Sequence, residues 1–373
     1  MTDGVQIVAL GVDHTTADSA ARERIAAAWD AAVSEVVAGG AALSVVALRT
    51  CLRVEAYFLT ADPAGCAAAL SARSGDAHLR ARTGRAAVAH LFSVAGGLES
   101  MIVGERQILD QTRAAWELAR ARGRLDARLD RMFQHAVAVG KRVRRDTDIC
   151  RGGSVADAAA DLVVGYLGDV GAAAVAIVGA GAVSRKVAVV LGRRGVRDFT
   201  VTNRSPDRAA ALAAELDRRG WMCAAVPWER RTEATAAAAV VMCATSAPGP
   251  VLGVRDLADG RPRLVVDLAL PRDVDAGVGC LAGTRLVNLD AVWRHAPDRS
   301  PSAPAELAQA RSIVDDWVDA YMRWLAERKA APTIAELMRR TPRAGSNPSA
   351  RRALHAETIA LKRRAAETHA SAR

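Results

Sequence analysis

The run Thr50-Cys51-Leu52-Arg53-Val54-Glu55-Ala56-Tyr57-Phe58 sets a thiol, a guanidinium, a carboxylate and a phenol at every second position. In an extended chain Cys51, Arg53, Glu55 and Tyr57 share one face, and Leu52, Val54, Ala56 and Phe58 share the other. The thiolate is the nucleophilic form of cysteine, and a neighbouring arginine favours it. The same arginine can hold a carboxylate substrate through paired hydrogen bonds. The run reads as one strand or as a turn entering a strand. The competing reading is an inert cysteine on an edge strand beside a surface Arg53–Glu55 pair. Cys66, Cys150, Cys223, Cys243 and Cys280 stand in apolar or loop contexts and read as packing residues. No two cysteines are spaced as a zinc knuckle or a CxxC pair. His90 lies in the apolar helical segment AVAHLFSVAGGLES, as a core residue or a proton carrier. Glu105 and Gln107 open the next helix, where the dipole favours acids in any case.

A second constellation is a phosphate cradle. The apolar strand 174–178 runs into Gly179-Ala180-Gly181-Ala182-Val183-Ser184, which opens a helix. Such a turn aims backbone N–H groups at a pyrophosphate, and Ser184 in place of a third glycine is small enough for close packing. The next strand ends on Asn203-Arg204-Ser205, with no acid for a ribose hydroxyl. Arg204 and the Ser205 hydroxyl suit a 2′-phosphate, so NADPH is favoured over NADH.

Three regions must position these groups. Residues 5–10, 43–48 and 54–59 read as strands around a helix from Ala20 to Ala38, an α+β domain with a small sheet. From Arg85 the pattern is helical, with Gly123 as a stop and Leu125, Leu129, Met132, Ala136, Gly140 and Val143 on one stripe. Cys150 to Ser154 breaks the pattern. Strands at 174–178, 198–203, 238–244 and 263–268 then alternate with helices, as in a doubly wound parallel sheet. The proline-rich stretch 295–304 reads as a linker, and a long helix runs from Ala305 toward Lys329. The arginine-rich tail is interrupted at 341–349. The fold class is therefore α/β multidomain, divided at 1–150, 151–300 and 301–373.

Composition sets the outer bounds. The 373 residues are half hydrophobic, with 51 Lys+Arg against 41 Asp+Glu and a net charge of +10. That balance suits a polyanion such as nucleic acid or a phosphorylated cofactor, or equally a basic surface kept soluble by repulsion. The opening MTDGVQIVALGVDH is no signal peptide, and no run reaches the roughly 18 apolar residues of a membrane span. A cytoplasmic protein with reduced thiols and no membrane partner is expected.

The motifs together resemble one family, the glutamyl-tRNA reductases of tetrapyrrole (porphyrin) biosynthesis. GVDHTTA resembles GxNHxTA, RTCLRVEAYF resembles STCNRxExY, and HLFSVAGGLESMIVGERQILDQ follows the family's central motif almost throughout. FQHAVAVGKRVRRDTDI, IVGAGAVS, TNRSPDRA, CATSAPGPVL, VVDLALPRDVD, LVNLDAV and LHAETIALK follow in order. The resemblance implies an N-terminal catalytic domain, a Rossmann-type NADPH domain, and a long spine helix leading to a shortened helical dimerisation domain of a homodimer. It implies that Cys51 attacks the ester of glutamyl-tRNA(Glu) to form a thioester, which NADPH reduces to glutamate-1-semialdehyde, the first step toward 5-aminolevulinate. Thr50, Arg53, Glu55, Ser100, Glu105 and Gln107 would bind the glutamyl group, with His90 beside Cys51 in the catalytic set. An aminotransferase partner taking up the aldehyde is also implied. Departures are Leu52 for Asn, Arg49 for Ser, Asp13 for Asn, Asp18 for Pro and Arg106 for Pro. Two alternatives compete: a shikimate-type NADP dehydrogenase, which needs a lysine that the first 140 residues lack, and a non-catalytic paralogue that binds glutamyl-tRNA.

Overall fold

The computed structural model describes residues 4–75, 79–101, 103–105, 107–123, 125–149, 154–295, 304–340 and 355–360, with 295 and 329–340 described by backbone alone. Arg106, the break at Cys150 to Gly153, the linker centre and most of the tail lie outside these residues.

The N-terminal half is an antiparallel sheet with helices on both faces. Strands β1 (Gln6–Asp13), β2 (Ser44–Arg49), β3 (Arg53–Thr60) and β4 (Arg80–Thr83) order as β2-β3-β1-β4. One face carries Val8, Leu10, Val54, Ala56 and Phe58 against Ile25, Trp29 and Val33 of α1 (Ser19–Ala38) and Cys66 and Leu70 of α2 (Pro63–Ser74). The other face carries Ile7, Val46, Leu48, Tyr57 and Leu59 against α3 (Gly84–Gly96), α4 (Gln107–Ala121) and α5 (Ala127–Asp146). Period-two alternation thus serves two cores at once. The helical stripe through Leu129, Met132, Ala136, Gly140 and Val143 is buried. Gly140 is required where α5 crosses α3, because a Cβ there would sit 2.5 Å from the Ala95 carbonyl oxygen.

The second half is a six-stranded parallel sheet of β5 (Ala174–Val178), β6 (Asp198–Thr202), β7 (Met222–Val226), β8 (Val240–Cys243), β9 (Arg263–Asp267) and β10 (Thr284–Asn288). Its order is β10-β9-β8-β5-β6-β7. The chain reverses its winding between β5 and β8, the crevice where ligands bind in open sheets of this kind. Helices α6 (Val155–Leu167), α7 (Ala182–Arg193), α8 (Pro206–Asp217), α9 (Arg231–Ala236) and α10 (Leu289–His295) complete this layer.

Helix α11 (Pro304–Arg340) is longer than its expected span. Its Ala310, Val314, Val318, Tyr321 and Leu325 join the core of α3 and α5, and the Tyr321 hydroxyl donates to the Arg128 carbonyl at 2.9 Å. The start of the spine is therefore part of the first domain's core, although the sequence places it after the second.

Candidate active site

Cys51 does not lie in the strand. It sits at the tip of the β2–β3 turn, with Arg49 paired to Val54 as the last rung of the ladder. Thr50 builds that turn: its hydroxyl accepts the N–H groups of Leu52 and Arg53 at 3.1 and 3.2 Å. Its own N–H donates to the Arg53 carbonyl at 2.9 Å.

Arg53, Glu55 and Tyr57 follow on one face of β3, as the alternation requires. The Arg53 Nη1 donates to Glu55 Oε1 at 3.1 Å, and the Tyr57 hydroxyl donates to Oε2 at 3.0 Å. His90 Nε2 lies 2.9 Å from Oε1. Arg53 Nη2 donates to the Glu99 carbonyl at 2.6 Å. The pair is buried, which removes the surface reading. Burial pushes the Glu55 carboxyl up, but Arg53 and His90, with hydrogen bonds from His90 and Tyr57, outweigh it and hold it at about 2. Arg53 Nε is buried and makes no hydrogen bond.

The expected activation of Cys51 by Arg53 needs correction. Cys51 is partly exposed as a residue, yet its sulfur is desolvated. Burial first, and then the nearby Glu105 charge, push the thiol up to about 12, against weaker help from Arg22 and Arg53. Arg53 is committed to Glu55 and Glu99, so its charge does not decide the thiol. Glu105 is itself buried, which pushes its carboxyl up against the pull of Lys186, Arg144 and Arg53. Ser100 is buried in the α3–α4 loop, and Gln107 begins α4. That loop is pinched where the Gly104 N–H donates to Gly97 at 2.9 Å. A Cβ on Gly97 (φ +81°) would press on the Gly104 backbone.

The nucleotide turn forms at the end of β5. Gly179 has φ +107°, and a Cβ there would lie 2.8 Å from the Ala244 carbonyl oxygen. Gly181 faces open space. Ala182 and Val183 begin α7, and the buried Ser184 hydroxyl donates to the Ala244 carbonyl at 3.3 Å, in the packing role foreseen for it. Asn203 accepts the Ala180 N–H at 3.2 Å and donates to the Ser205 carbonyl at 3.1 Å, tying the two strand ends together. Arg204 lies 6.0 Å from the Trp228 ring. A cavity of about 400 Å³ opens over Gly179, Gly181, Arg204, Arg208, Trp228 and Thr245. An open glycine at a helix start with two arginines at its rim fits a dinucleotide bearing a third phosphate.

Several site residues escaped the sequence reading. Asp273 accepts the Thr245 N–H at 2.6 Å, and Asp267 accepts from Ala269 and Val274, each at 3.0 Å. Together they fix the loops beneath the cavity. Lys186 of α7 is near enough to act on Glu105, which in turn acts on Cys51. The two sites are thus electrostatic neighbours. A shared cleft also runs between the domains, lined by His14, Thr15, Thr16, Arg22, Asp290 and Arg294 among others. GVDHTTA and LVNLDAV, which carries Asp290, were the advance signals of it.

Residues 10–147 match the family model for the glutamyl-tRNAGlu reductase N-terminal domain, and residues 161–294 match that for shikimate/quinate 5-dehydrogenase. A glutamyl-tRNA reductase of Thermus thermophilus is 35% identical over 95% of this chain and 93% of its own. The chain belongs to the glutamyl-tRNA reductase family. One from Kineococcus radiotolerans is 38% identical over 89% of this chain and 78% of its own. The solved glutamyl-tRNA reductase of Methanopyrus kandleri aligns over 99% of this chain and 98% of its own, with a TM-score of 0.51 and 29% identity. The dehydrogenase match covers the nucleotide half alone, so it describes a shared cofactor domain within the reductase family.

Proposed function

We propose that the protein is an NADPH-dependent reductase of glutamyl-tRNA(Glu), making glutamate-1-semialdehyde for tetrapyrrole synthesis through a Cys51 thioester. The observation that carries this is the meeting of a cysteine turn, a buried Arg53–Glu55–His90 cluster and an NADPH-type cradle in one chain of the family.

The unpartnered Arg53 Nε is the donor left for the substrate's side-chain carboxylate. Thr50, Ser100 and Gln107 would complete the glutamyl pocket, with Glu105 toward the substrate's ammonium. An ammonium beside Glu105 cancels the second of the two influences that oppose Cys51 ionisation, after burial, so substrate binding favours the thiolate. The thiolate adds to the ester carbonyl, the carbon–oxygen bond breaks, and the tRNA hydroxyl leaves with a proton. His90, held by Glu55, positions or relays that proton. The ester is already activated, so a thiolate suffices.

Gly179 to Ser184, with Asn203, Arg204 and Ser205, would hold NADPH, which when bound supplies the hydride that takes the acyl carbon to the aldehyde. The carbon–sulfur bond then breaks, and Cys51 regains its proton. Three functional parts, divided near 150 and 300, fit this scheme. So do a homodimer through the C-terminal region, a cytoplasmic setting for the free thiols, and direct uptake of the reactive aldehyde by an aminotransferase. No helix among the described residues is long and apolar enough to cross a membrane.

NADPH oxidation with glutamyl-tRNA tests the reading. The Cys51→Ser variant should lose it while still binding NADPH. Full oxidation by that variant would sink the thioester route.

A further inference from the structure

Leu52 breaks the alternation that it should share with Val54, Ala56 and Phe58. Those three face α1 and α2. Leu52, only 4% exposed, joins the core of the nucleotide domain instead, with Val155, Ala159, Val187 and Leu191 among that core's members. Cys51 packs against the same core. Among the described residues, these two alone of the first 154 belong to it. A second attachment lies alongside. Asp290 at the start of α10 accepts the Ser19 N–H at 2.8 Å and pairs with the buried Arg22 at 2.8 Å. Arg272 reaches Ser19 Oγ at 3.2 Å and Glu23 at 3.4 Å.

An enzyme thioester has two fates. Reduction gives the aldehyde. Alternatively, water adds to the acyl carbon, the carbon–sulfur bond breaks, the sulfur regains a proton, and free glutamate leaves. A turn free to swing away from the nucleotide domain would expose the acyl group to water before reduction. Desolvation of a reactive centre suppresses that loss.

We propose that Leu52 is a positioning residue that anchors the Cys51 turn in the nucleotide domain's core, committing the acyl group to reduction over hydrolysis. The Arg22–Asp290 clasp serves the same end from the α1 side. The inference rests on the thioester reading, and it concerns the partition of that intermediate, not its formation.

The test is a single turnover with glutamyl-labelled tRNA at saturating NADPH, counting labelled glutamate against labelled semialdehyde. Acylation without NADPH and NADPH affinity are measured alongside. Leu52→Ala and Leu52→Asn should raise the glutamate-to-semialdehyde ratio roughly tenfold, with tRNA release and NADPH affinity near wild type. Leu52→Met should restore the wild-type ratio. Asp290→Ala, which leaves Leu52 in place, should move the ratio in the same direction, and it covers the case of a Leu52 variant that fails to fold. An unchanged ratio in Leu52→Asn or Leu52→Ala that acylates normally would overturn the proposal. An equal ratio in Asp290→Ala would overturn the clasp's part. Failure of the wild-type protein to release tRNA would instead overturn the thioester reading itself.

Discussion

At the residue scale, the puzzle is that Cys51, the nucleophile proposed above, has its resting thiol pushed up to about 12. The sign of each contribution defines a test. Burial opposes the thiolate, and a charged Glu105 opposes it further. Glu105→Gln removes a negative neighbour, so the Cys51 thiol should fall. Alkylation of Cys51 by iodoacetamide, followed by peptide mass, should then be several-fold faster at pH 8 than in wild type. The gain should shrink as pH drops and Glu105 itself takes up a proton. An unchanged rate would mean that burial alone sets the thiol. In the nucleotide cradle, Arg204→Ala should weaken NADPH by about 1–3 kcal/mol and NADH far less, because only NADPH brings a charged group to that rim. Equal losses by equilibrium titration would contradict the 2′-phosphate assignment.

At the element scale, the first domain stands on close helix crossings. Gly140 of α5 has no room for a methyl group against Ala95. Gly140→Ala should therefore cost about 1–3 kcal/mol of stability in urea unfolding, and α3, which carries His90, should shift with it. An unaltered unfolding midpoint would show that the crossing is looser than the geometry indicates. The Glu55 cluster adds a pH term to the same domain. Its carboxyl sits at about 2 when folded, below its unfolded value of about 4.3. Its contribution, on the order of 3 kcal/mol, is complete above the unfolded value and lost as pH falls toward 2.

Much of this was readable in the sequence, for reasons that differ by element. The Arg53–Glu55–Tyr57 face follows from the strand period alone. The cradle follows from an apolar strand running into glycines and a helix. The start of β3 was not readable, because alternation cannot tell the last turn residue from the first strand residue, and so the sequence left open whether Cys51 and Leu52 belong to the turn or to the strand. Strands β4, β7 and β10 escaped because they are edge strands with mostly exposed or half-exposed side chains, leaving little hydrophobic pattern. The His90–Glu55 contact and the Arg22–Asp290 clasp join positions 35 and 268 apart, and no local spacing encodes them.

At the scale of the whole molecule, the chain brings the Cys51 turn, proposed as the acyl-transfer site, and the nucleotide cradle together, joined through Leu52, Glu105, Lys186 and the α1–α10 clasp. The net charge of +10 belongs to this scale as well. A polyanionic substrate releases counterions on binding, so tRNA affinity should fall steeply between 50 and 200 mM salt, with a log–log slope of several units. A flat dependence in filter binding would place the contacts on neutral groups and leave the basic surface without that role. The account as a whole turns on one covalent bond. Wild-type protein mixed with glutamyl-labelled tRNA in the absence of NADPH, quenched in acid and digested, should carry the glutamyl mass on the Cys51 peptide, removable by hydroxylamine and absent from Cys51→Ser. Label on another residue, or none on a protein that still reduces glutamyl-tRNA, would contradict it.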